Sequence, residues 1–480
     1  MFHFNRIGWL VAFGSFVQMT IIFGIISSFV VLFVLLEEEF EASATATGWM
    51  GSMAWGVAIL FAPVSAALNS QWGPRPVTAA GVCLCTIGLL ATCFLPNLWA
   101  MYITFGLVFG AGANMITFSS ADLIAKHFPG KSGTRPFAFA NLSGAAGLLV
   151  VATIVDSTVD AIGWRMTYSI FAAILFVICF PLCFVYKYPS VLLDEVKIES
   201  ANGSDDSSYP TAYVNSAVQV VEERSAESSV ITEANSPTNG DESDKSSQLM
   251  KEKNSGIHST ETERKSSIAG LLRVPGIWMS GLATMAIGIA STLNVIILGG
   301  YLENIGISSR LSSVLIMALG LAELLGRLLA LVVGSSIPVS NLIILGVVHF
   351  SGTIVCLMVG LLSNLVTTII YIAIAGIIRG IIYSINLPAT MEVFKGVNSS
   401  IIISVMFLGN GIGNLLSSIC AGLSVDVTSS YSAAFFMSAG LYFISSAIYV
   451  SLWLWPDVLI FKRILTDTHP SRDQDTSVER

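Results

Sequence analysis

Charge is what this chain has least of: only 11% of its residues are Asp, Glu, Lys or Arg, where a soluble domain carries about a quarter. That scarcity excludes water as the solvent for most of the surface, and the 54% hydrophobic content and mean hydropathy of +0.76 say the same. Basic stretches interleaved with aromatics are missing, so no nucleic acid partner is expected. Cysteine is sparse as well. Cys83, Cys85, Cys93, Cys179, Cys183, Cys356 and Cys420 all fall in apolar runs without His/Cys pairs at metal-ligand spacing, which suits small buried hydrophobes and implies neither a metal nor a cofactor. With no His/Asp-rich cluster and no nucleophile beside a base, the sequence does not read as an enzyme.

What is there is a series of long apolar runs. In the first half they lie near 7–36, 47–69, 76–95, 98–124, 137–158 and 166–186, and in the second near 274–302, 307–334, 338–362, 365–392, 399–424 and 431–455. Each suits a helix of roughly 20 residues crossing a hydrocarbon layer. The expectation is an all-α membrane protein of twelve transmembrane helices, with a first bundle over 1–187, a linker over 188–267, a second bundle over 268–456 and a tail over 457–480. The first run is too long for a cleavable signal and lacks a small-residue cleavage site, so it reads as a retained span. Residues 188–267 hold 15 acids and 7 bases, which accounts for the chain's net charge of −8, and their Ser-, Glu- and Asn-rich composition predicts a disordered tether.

Basic residues set the expected orientation. With the N-terminus inside, the cytoplasmic segments carry Arg6, Arg75, Lys126, Lys131, Arg135, Lys187, Lys395, Lys462 and Arg463, against Arg165 and Arg310 outside. Both termini are therefore expected in the cytoplasm, with Glu37, Glu38, Glu39 and Glu41 on a solvated outer edge. A short echo, Val155-Asp156-Ser157-Thr158 against Val425-Asp426-Val427-Thr428, suggests two related halves. Two six-helix bundles in parallel repeat make the major facilitator fold, whose solutes bind near the midplane between the bundles.

Ionisable groups inside a span are costly unless they face a wet cavity or a partner. Glu323 and Arg327 stand four apart in the eighth span, on one helix face. A guanidinium offers a carboxylate a bidentate fork, and a glutamate in a low-dielectric cavity can take up a proton. The pair is either a substrate site or a self-neutralising structural feature. Arg379 in the tenth span is either a second cationic contact or ballast for Glu323 or Glu392, and Asn386 further along the span joins the substrate-binding candidates. Asp122 and Glu392, near the cytoplasmic ends of spans four and ten, suit gating networks with loop bases such as Arg135. His349 is expected to pack rather than relay protons. Gly106, Gly110, Gly112, Gly409, Gly411 and Gly413 predict close helix approach or bending, and Pro63, Pro181 and Pro388 predict kinks.

Several motifs carry a resemblance to a known family. Phe105-Gly106-Leu107-Val108-Phe109-Gly110-Ala111-Gly112, Thr47-Gly48-Trp49-Met50-Gly51-Ser52, the basic junction Lys126-His127-Phe128-Pro129-Gly130-Lys131-Ser132 to Arg135, Gly163-Trp164-Arg165, and Ala421-Gly422 through Asp426 to Tyr431 are similar to monocarboxylate transporters of the major facilitator superfamily. The resemblance implies a small organic anion as substrate, a proton as possible co-substrate and a plasma-membrane bilayer. It also implies Arg327 as carboxylate anchor and Glu323 as switch, and some members have a single-span glycoprotein as ancillary partner. Two departures stand out. The first span opens Asn5-Arg6-Ile7-Gly8-Trp9 without the family's leading acid, and the lysine of proton-coupled members is replaced around Ser27 and Ser28, which become substrate-binding candidates. Members without that lysine tend to carry solutes other than lactate. The remaining alternative is a receptor or scaffold that keeps the fold without transporting.

Overall fold

The computed structural model describes residues 5–189 except 30–31, 33–34, 37–38 and 42–43, and residues 274–455 except 335, 362–363, 395–397 and 429. The predicted tether beyond Pro189, the predicted tail, Lys395, Lys462, Arg463, Glu37 and Glu38 lie outside the described residues.

Among the described residues the chain is helical throughout. In the first bundle α1 is Arg6–Ser27, α2 joins Ala44–Leu60 to Ala62–Trp72, α3 is Pro74–Phe94, α4 runs over Leu98–His127, α5 over Gly130–Ile162 and α6 over Trp164–Val185. In the second, α7 is Pro275–Asn304, α8 Ser309–Val333, α9 Asn341–Leu357, α10 Leu365–Val393, α11 Ser399–Thr428 and α12 Tyr431–Leu454. Ten helices among the described residues are long and apolar enough to cross a membrane. The other two are the bent α2, whose segments meet at 46°, and the shorter α9, which Met358–Leu361 prolongs as a 3₁₀ turn. Two bundles of six thus form as the hydropathy predicted.

Local chemistry explains the breaks. Pro63 has no N–H to donate and restarts α2 just after Phe61, so the predicted kink falls there. Gly73 and Gly163, at φ 84° and 79°, turn the chain between α2 and α3 and between α5 and α6, a left-handed conformation that a Cβ disfavours. Asn5 caps α1 by accepting from Gly8 N at 2.9 Å, and Asn364 with Thr367 forms a capping box on α10. Glu39 is exposed, as expected of a solvated edge, and is also bonded. Its carboxylate is gripped by Arg165 and by Trp164 Nε1 at 2.6 Å, and this clamp ties the end of the α1–α2 connection to the start of α6.

Apolar packing fills each bundle separately, Ile22, Phe105, Phe109 and Tyr168 in the first and Leu293, Tyr301, Leu319 and Phe435 in the second. A third cluster spans the two, setting Phe118 and Phe137 against Ile403, Leu387, Met391 and Phe407. His349 packs, stacked on Tyr449 at 5.4 Å with Nδ1 2.8 Å from Leu345 O, but its Nε2 is buried without a hydrogen-bond partner, so it is not the fully satisfied residue expected.

The glycines serve helix approach. A Cβ at Gly112 would lie 2.6 Å from Gly81 O, and one at Gly413 2.3 Å from Met285 O, so α4 meets α3 and α11 meets α7 backbone to backbone. Replacing Gly413 with Val must push α11 off α7. The expected cost is about 2–3 kcal/mol, read as a fall of several degrees in the detergent-solubilised melting temperature, and Gly422→Ala, which meets open space, serves as the unaffected control.

Candidate functional site

The central site begins with two glycines. A Cβ at Gly326 would stand 2.2 Å from Ile377 O and one at Gly380 2.1 Å from Glu323 O, so α8 and α10 lie in backbone contact at this level. That approach brings Arg379 to Glu323 from across the helix pair, while Arg327 reaches Glu323 along its own helix. The carboxylate is shared: Oε1 accepts from Arg327 Nη2 and Oε2 from Arg379 Nε at 3.3 Å. Both guanidiniums then continue outward. Arg379 Nη1 donates to Ser291 O on α7, and Arg327 Nη1 donates to Asn141 O on α5, across the bundle interface. Tyr383 lies beneath Arg379, its ring centroid 5.8 Å from the guanidinium carbon, and its hydroxyl stands 2.7 Å from Ser291 Oγ.

All three ionised side chains are near 15% exposed, out of bulk solvent yet not sealed from it. Two cations face one anion, so the cluster carries one uncompensated positive charge. Arg327 Nε, moreover, is buried without a hydrogen-bond partner. An unsatisfied donor beside an excess cation is a place for an anion.

The other substrate-site candidates stand apart from this cluster. Ser28 is fully buried against α6, 2.7 Å from Tyr168 Oη and donating to Ile25 O, so it serves the packing of the first bundle. Ser27 is partly exposed at the last residue of α1. Asn386 is buried on the α12 side, where it accepts from Tyr449 Oη at 2.7 Å. Seven residues beyond Arg379, it lies about 10 Å further along the helix axis, which removes it from the charged level. Sequence reading missed Asn141, Ser291 and Tyr383. Only the small-residue run Ser143-Gly144-Ala145-Ala146 hinted at the first, and its reason is now visible: a Cβ at Gly144 would stand 3.0 Å from Arg327 Nη1.

The gating candidates lie at the end of the bundles that holds Asn5, Lys187 and Val274, each with partners of its own rather than in the acid–base network expected with Arg135. Asp122 pairs with Lys126 at 2.5 Å and accepts from Ser399 and Ser400 of α11 at 2.6 and 2.9 Å, across the interface. The neighbouring Tyr188, outside the spans, has its hydroxyl pKa raised by burial and by Asp122. Arg135 donates to Val332 O at 3.2 Å and Ser336 Oγ at 2.8 Å, and Lys131 to Ile337 O and Val339 O, so α5 supplies cations to the carbonyl end of α8. Glu392 accepts from Asn341 N at 3.1 Å, and the Asn341 side chain donates to Thr134 Oγ1 at 3.0 Å. This terminal end is therefore bonded across the bundle interface at several points.

Comparison with known proteins adds the lineage. Residues 8–249 match the family described as Major Facilitator Superfamily. Monocarboxylate transporter 11 of Mus musculus is 29% identical over 158 residues, 33% of this chain and 35% of that protein. Monocarboxylate transporter 1 of the same species is 28% identical over 174 residues, 36% of this chain and 35% of that protein. The match thus spans about a third of the length of these curated relatives. Among solved structures, the transporter FucP in the outward conformation superposes with a TM-score of 0.65 over 92% of this chain and 99% of that one, at 12% identity. The proton:xylose symporter XylE gives 0.61 over 94% and 96% at 13% identity, and both show the same fold.

Charge counting within the cluster gives a sharp expectation. Glu323→Leu leaves two guanidiniums facing each other and should cost about 3–5 kcal/mol, whereas Arg379→Leu leaves the neutral Glu323–Arg327 pair and should cost clearly less. Thermal unfolding of the purified single and double variants orders them. Equal losses would show that net charge is not what strains this site.

Proposed function

Because the chain belongs to the major facilitator superfamily, we propose that it is a secondary transporter for a small organic monoanion, a monocarboxylate or an amino-acid-like carboxylate. The observation that carries this reading is the single carboxylate held between two guanidiniums. A substrate carboxylate takes the place of Glu323 on one guanidinium, or meets the unpartnered Nε of Arg327, and brings the cluster to neutrality. The Glu323 carboxylate so released is free to take up a proton, which gives the site a means of coupling. The similarity to monocarboxylate transporters supports the same substrate class.

Movement follows from where the bundles touch. In this reading Asp122, Arg135 and Glu392 form the gate at the terminal end; the bonds they make there and the excess of basic residues support a cytoplasmic gate that is closed. Rocking of one bundle against the other opens it. Arg327 links the two events, since it bonds both Glu323 and the α5 carbonyl of the opposite bundle.

Uptake of labelled lactate, pyruvate, aromatic amino acids and creatine into cells expressing the chain tests the reading. Arg327→Ala should lower uptake of the accepted solute by about a hundredfold or more, the scale of a lost charge-assisted bidentate contact. Unchanged uptake removes the assigned site, and no uptake of any solute favours the receptor alternative.

The gate makes a separate expectation. Asp122→Ala removes the bond to the start of α11, so a thiol-specific reagent applied from the cytoplasmic side should modify a cysteine placed at Ser399 several-fold faster than when Asp122 is kept. Equal modification rates would take Asp122 out of the gate.

A further inference from the structure

A small space inside the second bundle borders the charged cluster. Helices α7, α8, α9, α10 and α12 build its wall, and Asn294, Tyr371, Arg379 and Tyr442 are among its lining. It measures about 20 Å³, room for about one water molecule. Leu319 on the wall precedes Glu323 by one turn of α8, and Ala375 precedes Arg379 by one turn of α10. The space therefore lies just beyond the cluster, on the side away from the end that holds Asn5 and Lys187.

Its lining carries donors that the protein does not use. Arg379 spends Nε on Glu323 and Nη1 on Ser291 O, and its Nη2 bonds nothing among the described residues. Tyr371 and Tyr442 are 7% and 2% exposed, and neither hydroxyl has a hydrogen-bond partner among the described residues. Tyr301 and Tyr449, as deeply buried in the same bundle, give theirs to Val359 O and Asn386 Oδ1. Buried hydroxyls are normally paired, so two idle ones around a space bordered by a guanidinium mark a place for an acceptor. Glycine at 352 admits one of the rings, since a Cβ there would stand 2.9 Å from Tyr442 Cδ1. Asn294 has Nδ2 3.2 Å from Cys356 Sγ, while Oδ1 is buried without a partner. Turned over, the amide accepts from the Cys356 thiol and offers Nδ2 as a further donor.

We propose that this space is a halide site, in which one chloride ion accepts from Arg379, Tyr371 and Tyr442 and neutralises the surplus charge of the cluster when no substrate is bound. Size excludes an organic carboxylate and admits a monatomic anion. A water molecule accepts the same bonds and leaves the surplus charge standing, whereas chloride cancels it. The cluster has one positive charge to spare, so chloride and a substrate monoanion exclude each other, the second to arrive finding that charge already neutralised. The exclusion rests on the carboxylate-transport reading above; the halide site itself does not.

Thermal unfolding of the purified full chain reads the site directly. Sodium chloride should raise the melting temperature along a saturating curve, whereas sodium sulfate of equal ionic strength, whose ion is too large for the space, should show no saturation. Tyr442→Phe and Tyr371→Phe each remove a single oxygen and should weaken the chloride affinity drawn from that curve roughly tenfold, the scale of a hydrogen bond to a charged group. Arg379→Leu should abolish saturation, and the two tyrosine variants carry the test alone if it does not fold. In uptake assays chloride should raise the concentration of accepted acid needed for half-maximal rate and leave the maximal rate unchanged; an unchanged half-maximal concentration overturns the mutual exclusion. A chloride curve that does not saturate, or that saturates equally in wild type and every variant, overturns the halide site, and acids that still stabilise the protein then leave the carboxylate reading standing. Saturable chloride stabilisation with no acid bound or carried keeps the halide site and removes the carboxylate reading.

Discussion

One carboxylate between two guanidiniums organises this protein. Glu323 sits where α8 and α10 touch backbone to backbone, and each of its oxygens takes one arginine. In a low-dielectric interior such a group cannot be left incomplete, because an unpaired buried charge costs several kcal/mol. Everything near it is arranged accordingly. Gly326 and Gly380 bring the helices close enough for the bridge, Ser291 O and Asn141 O take up guanidinium hydrogens that Glu323 cannot reach, and Gly144 leaves room on α5 for Arg327 to arrive. The same arrangement leaves one positive charge over. A purely structural device is better served by a neutral pair, and the surplus is the feature on which the proposed anion site rests.

Sequence reading reached the fold almost completely, for a simple physical reason. A lipid-facing helix must be apolar over roughly 20 residues, and that demand is written locally, run by run. Where a helix departs from the rule the reading blurred: α2 is two segments meeting at Pro63, and α9 is short of the usual length. The charged cluster was half legible. Glu323 and Arg327 announce themselves by four-residue spacing, and Arg379 by its mere presence in a span, but that Arg379 shares Glu323 rather than Glu392 depends on which helices pack together.

Polar neutral residues were the harder case. Ser28 and Asn386 looked suited to a substrate and instead bond Tyr168 and Tyr449 inside their own bundles, whereas Asn141 and Ser291 contribute through backbone carbonyls, which every residue owns and no composition reveals. A hydroxyl or amide can satisfy itself in many directions, so its role is decided by the partner it meets and not by its own chemistry. Asp122, Arg135 and Glu392 stood out in the sequence because they are charges at span ends, and each bonds at that end of the bundles.

The chemistry of the terminal end also bears on reversibility. Two cations from α5 meet carbonyl and hydroxyl oxygens at the end of α8, and Asp122, already paired within its own helix, meets only serine hydroxyls across the interface. Bonds of that kind contribute about 0.5–3 kcal/mol each in net terms, since water replaces them when they part. Fully buried ion pairs would resist separation far more, because each half would be stranded in low dielectric. The contacts across this end are thus of the kind that part at modest cost, while the costly cluster, Glu323 with its two arginines, lies within one bundle. At its level the bundles are joined by Arg327 donating to Asn141 O and by Asn141 Nδ2 donating to Tyr383 O at 3.1 Å, both bonds to carbonyls.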